Sequence, residues 1–129
     1  MKIVFTNGCF DILHPAHMRL LEFCKTLGKV VVGLNSDKSV SEIKGAARPF
    51  FNQEDREFML FSCKYVDEVH IFHEKTPYNL IKQIKPDIIV KGGDYKKENV
   101  IGNDLAEVII FEYIDDYSTT NIIGGKNES

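Results

Sequence analysis

Five short apolar runs punctuate the chain: Ile3-Val4-Phe5, Lys29–Leu34 (KVVVGL), Val66–Phe72, Asp87–Val90 (DIIV) and Glu107–Phe111. They are rich in β-branched residues, and Lys29–Leu34 is continuous rather than alternating, the pattern of a strand buried on both faces. Between them lie segments with helical signals. Pro15 to Leu27 reads as a helix opened by proline and closed by Gly28, and Asn52 caps a second helix running through Tyr65, with Phe58, Met59, Leu60 and Phe61 as its apolar surface. Thr76-Pro77 opens a third helix to Ile84, and Ser118-Thr119-Thr120-Asn121 is the hydroxyl-rich start of a last short one. Lys38 to Pro49, carrying Lys44-Gly45 and Arg48-Pro49, reads as a polar connection. Strands alternating with helices predict the α/β class: a single domain built on a doubly wound, parallel, five-stranded sheet.

In such sheets ligands bind beyond the carboxyl ends of the strands, near the point where strand order reverses. Four polar or glycine-rich segments are predicted on that edge: Thr6 to His17, Asn35-Ser36-Asp37, Lys91 to Tyr95, and Ser118 to Asn121. The first carries the most chemistry. A strand that enters a helix through a tight turn at Thr6-Asn7-Gly8 aims backbone N–H groups and the positive end of the helix dipole at one point, which suits phosphate. His14 and His17 are three residues apart, so on a helix they share a face and reach the same anion. Pro15 fits the first helical position, where its missing N–H costs nothing.

Composition narrows the function. A length of 129 residues supports one core, and the net charge of -3, with no cluster of Lys and Arg, argues against nucleic acid as a partner. No apolar run is long enough to cross a membrane and no signal peptide opens the chain, so a cytoplasmic protein without a membrane partner is expected. Cys9, Cys24 and Cys63 are odd in number and widely spaced, which excludes a disulfide framework and a CxxC motif; Cys24 is expected in the core and Cys9 in the phosphate turn. His70 and His73 would fall on opposite faces of a strand, and no protein-ligated metal site is expected. Residues 1–123 are taken as the domain and 124–129 as a disordered tail.

GCFDILHPAH resembles the GxFDxxHxGH signature of the small cytidylyltransferase-like nucleotidyltransferases, with Ala16 where the signature has glycine. TNGCFDILH, NSD, KGxxRP, TPxxLI, VKGGDY and STTNII also stand in the order and spacing of the heptose 1-phosphate adenylyltransferase domain of ADP-heptose synthases. The segment between Tyr95 and Glu107 is shorter than in those enzymes, and Asp116-Tyr117 replace a residue that tends to be glycine there. No sugar kinase unit stands in this sequence, so a stand-alone transferase is expected.

The resemblance implies a Rossmann-like HxGH fold and attack by a sugar phosphate on the α-phosphorus of a nucleoside triphosphate, with pyrophosphate released. ATP and heptose 1-phosphate are the expected pair. A CTP-dependent cytidylyltransferase acting on glycerol 3-phosphate or a phosphonate is the alternative, and a non-catalytic nucleotide-binding module the alternative of another class. His14, His17, Lys44 and Arg48 are implied as catalytic. Thr6, Gly8, Cys9, Phe10, Lys91, Gly92, Gly93, Asp94, Tyr95, Ser118, Thr119 and Thr120 would join the histidines in holding the nucleotide, while Asp11, Asn35, Asp37 and Lys44 would meet the acceptor. Mg²⁺ is expected mainly on the phosphates, and a homodimer is expected, with Phe50, Phe51 and Phe61 as candidate contacts.

Overall fold

A computed structural model describes residues 1–93 and 95–112 of the chain. In order, it contains β1 (Ile3–Gly8), α1 (Pro15–Leu27), β2 (Lys29–Asn35), α2 (Asp37–Lys44), α3 (Gln53–Phe61), β3 (Glu68–Phe72), α4 (Tyr78–Ile84), β4 (Ile88–Gly92), a 3₁₀ turn at Lys97–Asn99, and β5 (Glu107–Phe111). All five strands are parallel, in the order β3-β2-β1-β4-β5.

Alternate residues of each strand feed opposite layers of the core. Val4, Val30, Val32, Ile88 and Val90 face one side, packed with Leu20, Leu21 and Cys24 of α1 and Leu60 of α3. Phe5, Val31 and Ile89 face the other, with Ile81 of α4, Val100 and Val108. Because both faces are covered, the inner strands β2 and β4 carry little polar alternation and read as apolar runs, whereas the edge strand β3 alternates at Glu68 and His70.

At their amino ends the strands are tied by carboxylates. Asp87 Oδ2 accepts from the Ile3 amide at 2.8 Å, and Asp67 Oδ2 accepts from the Val30 amide at the same distance. Gly28 joins α1 to β2 where the chain passes over Lys2; a Cβ at Gly28 would lie 2.2 Å from the Lys2 carbonyl oxygen. No side chain fits there, so this glycine is fixed by close approach.

Several boundaries differ from the sequence expectation. β1 continues through Thr6-Asn7-Gly8, so the turn after it begins at Cys9. The presumed connection after β2 contains α2, whose N-cap Ser36 accepts from the Ser39 amide at 3.1 Å. Only Val40 and Ile43 give that helix an apolar side, too weak a period to stand out. Helix α3 ends at Phe61 rather than Tyr65, and its inward side chains are Arg56 and Leu60. Phe58, Met59 and Phe61, read as apolar surface of that helix, are exposed at 72, 40 and 52%. β3 starts at Glu68 because the Asp67 side chain is committed to Val30 and Lys25.

Strand order reverses between β1 and β4, and there the sheet opens. β1 pairs with β2 along its whole length, from Ile3–Lys29 to Gly8–Leu34. Its register with β4 covers only Val4–Ile88 and Phe5–Ile89. Beyond those pairs the two strands part toward their carboxyl ends and leave a crevice at the switch point.

Candidate functional site

The loop leaving β1 is shaped by its smallest and largest residues. A side chain on Gly8 would come within 3.3 Å of the Phe10 ring, so glycine leaves that ring its place. Phe10 takes a left-handed backbone conformation, φ +45°, and its buried ring meets the His17 ring edge-on with centroids 5.2 Å apart. His17 stacks in turn on His14, 3.9 Å between centroids and 27° between planes. His14 is the N-cap residue of α1 and Pro15 stands at its first position, so both rings sit over the positive end of that helix.

Both histidines are buried, yet His14 Nδ1, His14 Nε2 and His17 Nδ1 have no hydrogen-bond partner among the described residues. Burial holds His14 below the ordinary histidine value. His17 is pushed down to about 3, chiefly by burial and further by the neighbouring His14 and Lys44, against a bond to the Ile12 backbone that raises it. Near neutral pH both rings are uncharged. Buried polar atoms are rarely left without a partner, and three nitrogens in one stacked pair mark a place where an external acceptor or donor would complete the arrangement. The Thr6 hydroxyl is buried in the same condition.

Beside the pair lies a cleft of about 200 Å³ at the carboxyl ends of β1, β2 and β4. Asn7, Gly8, Cys9, Asn35, Lys44 and Lys91 line it, together with Lys75, Thr76 and Pro77 from the β3–α4 connection and Tyr95, Asn99, Val100 and Ile101 beyond β4. Lys91 spans the switch point, its Nζ donating to the Asn7 carbonyl at 3.0 Å and lying 4.8 Å from the centroid of the Tyr95 ring. Burial lowers its pKa, with Lys44 adding repulsion, while Tyr95 and Cys9 oppose the shift. Cys9 is buried and its thiol is raised by that burial, against the pull of Lys44, Arg56 and Lys91. The site thiol is therefore neutral.

Lys44 belongs to both parts: it lines the cleft and its charge acts on His17. Gly92 ends β4, and Gly93, at φ +82°, turns the chain away with its amide donating to the Phe111 carbonyl. Asp94, Ser118, Thr119 and Thr120, assigned to the nucleotide by the sequence reading, lie outside the described residues, as does the stretch 124–129.

The two aspartates expected at the acceptor, buried Asp11 and half-exposed Asp37, both bond to groups of the protein itself. Asp11 is buried and accepts from the Phe50 amide at 2.8 Å, the Phe51 amide at 3.0 Å and Arg48 Nε at 3.2 Å. It straps the segment between α2 and α3 onto the loop after β1. Arg48 thereby serves the strap, with its guanidinium 4.9 Å from the centroid of the Phe50 ring. Asp37 accepts from Arg56 Nη2 at 2.8 Å, and Asn35 donates to Ser39 Oγ at 2.9 Å.

Arg56 is the main residue that the sequence reading passed over. Its side chain is fully buried, and it donates to the carbonyls of Cys9, Asn35 and Phe51 as well as to Asp37. One guanidinium thus joins the loop after β1, the end of β2, the start of α2 and the segment before α3. Its signal was an arginine on the inward period of α3, beside Leu60 four residues on. Lys75, Thr76 and Asn99 were also missed as cleft residues, because they gather only when the β3–α4 connection and the 3₁₀ turn meet at the crevice.

The model of the cytidylyltransferase-like family matches residues 5–124. The chain is 53% identical over 124 residues to the bifunctional protein HldE of Aliarcobacter butzleri (strain RM4018), and 52% identical over 124 residues to that of Helicobacter pylori (strain J99). Each alignment covers 95% of this chain but only 26% and 27% of those proteins, so the chain spans about a quarter of the length of these curated relatives. A solved structure of a lipopolysaccharide core biosynthesis protein from Thermoplasma volcanium GSS1 superposes with a TM-score of 0.73 at 30% identity, over 92% of this chain and 99% of that one. A pantoate-beta-alanine ligase from Francisella tularensis, 17% identical with a TM-score of 0.68, covers 95% of this chain with 65% of its own and shares the fold. With a five-stranded parallel sheet, a histidine pair at its switch point and a family match across residues 5–124, the chain belongs to the cytidylyltransferase-like family of nucleotidyltransferases.

Proposed function

We propose that this protein transfers the adenylyl group of ATP to heptose 1-phosphate, releasing pyrophosphate. The observation that carries the reading is the buried, stacked His14–His17 pair, whose unpartnered nitrogens stand over a helix N-terminus beside a lysine-lined cleft. An oxygen of the acceptor phosphate attacks the α-phosphorus, a new P–O bond forms, the bond between the α-phosphorus and its bridging oxygen breaks, and pyrophosphate leaves with that electron pair. Such a transfer needs positioning and charge stabilisation more than covalent help.

Neutral His14 donates a hydrogen bond to a phosphate oxygen, while the His17 N–H is held by the Ile12 backbone. Arriving negative charge favours protonation of His17, whose unpartnered Nδ1 then donates as well. Lys44, placed between histidines and cleft, supplies positive charge where donor and acceptor phosphates meet. Mg²⁺ fits this site as an ion held chiefly by the triphosphate's own oxygens. Among the described residues no group of three His, Cys, Asp or Glu side chains is arranged for a metal, and the cleft lining there is cationic. When bound, the ion neutralises triphosphate charge. ATP and heptose 1-phosphate are favoured by the KGGDY and STTNII motifs and by the identity above 50% with the HldE relatives.

Pyrophosphate release with Mg²⁺ tests the reading, using ATP and CTP each against heptose 1-phosphate and glycerol 3-phosphate. Release with ATP and heptose 1-phosphate supports it. Release only with CTP assigns a cytidylyltransferase, and nucleotide binding without release with any pair assigns a non-catalytic module. The homodimer belongs to the same proposal. Exposed Phe50, Phe51, Phe58 and Phe61, at 55, 42, 72 and 52%, support it, and sedimentation equilibrium at twice the chain mass is the expected result.

A further inference from the structure

We propose that the Ser39 hydroxyl is a positioning group for the triphosphate, holding the β3–α4 connection, and with it Lys75, Thr76 and Pro77, at the cleft where the nucleotide binds. The inference rests on the nucleotidyl-transfer reading and adds the residue that sets one side of its site.

Ser39 stands in α2 and is fully buried. At a buried helical position alanine forms the better helix and needs no hydrogen-bond partner. The usual local acceptor for a helical serine is the carbonyl four residues back. Here that carbonyl belongs to Asn35 and accepts instead from Arg56 Nη1 at 2.8 Å. The Ser39 hydroxyl is used twice, and neither bond serves the helix. Oγ accepts from Asn35 Nδ2 at 2.9 Å and donates to the Glu74 carbonyl, 35 residues away, at 2.7 Å.

The segment it holds has little else to hold it. Residues 73–77 have no regular secondary structure. Among the described residues, no other hydrogen bond ties 73–76 to α2 or to the sheet. Just beyond, Tyr78 donates to Asp104 Oδ2 at 2.7 Å, but that bond is exposed and water competes for it. The Ser39 bond is the inner fastening.

The bonds also form one path across the site. Arg56 Nη1 donates to the carbonyls of Cys9 and Asn35, Asn35 donates to Ser39, and Ser39 donates to Glu74. Cys9, Asn35 and the residues after Glu74 all line the cleft, so three segments distant in sequence are fixed relative to one another. Gly8, Lys91 and Tyr95, which the nucleotide reading assigns to the triphosphate with Cys9, line the same cleft. Lys75 brings positive charge to it and Thr76 a hydroxyl, and both take their place from the Glu74 carbonyl beside them in the chain.

The test is Ser39→Ala, which deletes one oxygen and keeps the amide that Ser36 caps. The KM for ATP is expected to rise at least fivefold with kcat within twofold, and a non-hydrolysable ATP analogue to bind at least fivefold more weakly by calorimetry. Amide exchange at Lys75 and Thr76 is expected to accelerate at least tenfold while β1 and β2 stay protected. A lowered Tm with both ATP constants unchanged would leave Ser39 a structural role alone and overturn the proposal, as would unchanged exchange. Calorimetry separates its failure from that of the parent reading. If the wild type binds the analogue but releases no pyrophosphate with any pair, nucleotidyl transfer fails while the Ser39 comparison still decides the positioning role. If the wild type binds no analogue, the positioning role falls.

Discussion

The His14 and His17 rings stack 3.9 Å apart in a buried loop, and burial keeps both uncharged near neutral pH. This has a consequence for stability. His17 titrates near 6.5 when unfolded and at about 3 when folded. Between those values the unfolded chain binds the additional proton, so the contribution is fully present above pH 6.5 and is lost as pH falls toward 3. Thermal melts from pH 7 to 4.5 are expected to show Tm falling, and His17→Asn is expected to flatten the decline above pH 5, before the carboxylates Asp67 and Glu68 add their own losses. Parallel curves for the two proteins would contradict the assignment of a buried neutral ring.

Arg56 joins four parts of the site through one buried guanidinium. Its salt bridge reaches the half-exposed Asp37, so the bonds to the Cys9, Asn35 and Phe51 carbonyls matter more than that pair. Arg56→Met leaves those carbonyls without their donor, at a cost on the order of 3 kcal/mol. For a domain of this size that lowers Tm by roughly 10 °C. Turnover is expected to fall as well, because the loop after β1 loses its tie to β2. A loss under 2 °C would show that the guanidinium is not holding these segments.

Asp11 binds the Phe50 and Phe51 amides and Arg48. Asp11→Ala releases this strap without opening the main core. Amide exchange at Phe50 and Phe51 is expected to accelerate at least tenfold while β1 and β2 remain protected. Equal protection in wild type and variant would mean that the segment is held by other contacts.

Gly28→Ala places a methyl group where the Lys2 carbonyl oxygen stands, 2.2 Å away. The α1–β2 junction or the start of β1 must shift, and overpacking of this kind costs about 1–3 kcal/mol. Reduced Tm with the substrate KM values unchanged is the expected signature, since the junction lies at the amino ends of the strands, opposite the site.

The sheet was legible because its strands are buried on both faces; Val30-Val31-Val32 and Ile88-Ile89-Val90 admit few other readings. Parallel topology followed from the helices between them. What escaped was short or ambiguous. Helix α2 rests on Val40 and Ile43 within a run of polar residues, and α3 has a cluster of aromatic residues that point outward while an arginine points in. The loop after β1 was readable as a tight strand-to-helix turn because glycine, proline and paired histidines each constrain it locally. Lys75, Thr76 and Asn99 could not be found that way, since their grouping depends on two connections distant in sequence. Asp11 shows the converse difficulty: a carboxylate beside a signature histidine looks like a ligand residue until its backbone partners, about 40 positions away, are known.

The central claim is that the histidine pair is the reaction centre, and the most direct measurement is turnover by His17→Ala set beside its fold. Loss of one group that stabilises transition-state charge typically costs 10²–10³-fold in kcat. The account therefore predicts pyrophosphate release reduced by about that factor or more, with circular dichroism unchanged and Tm within a few degrees of wild type. A folded His17→Ala protein that releases pyrophosphate at a near-normal rate would contradict it.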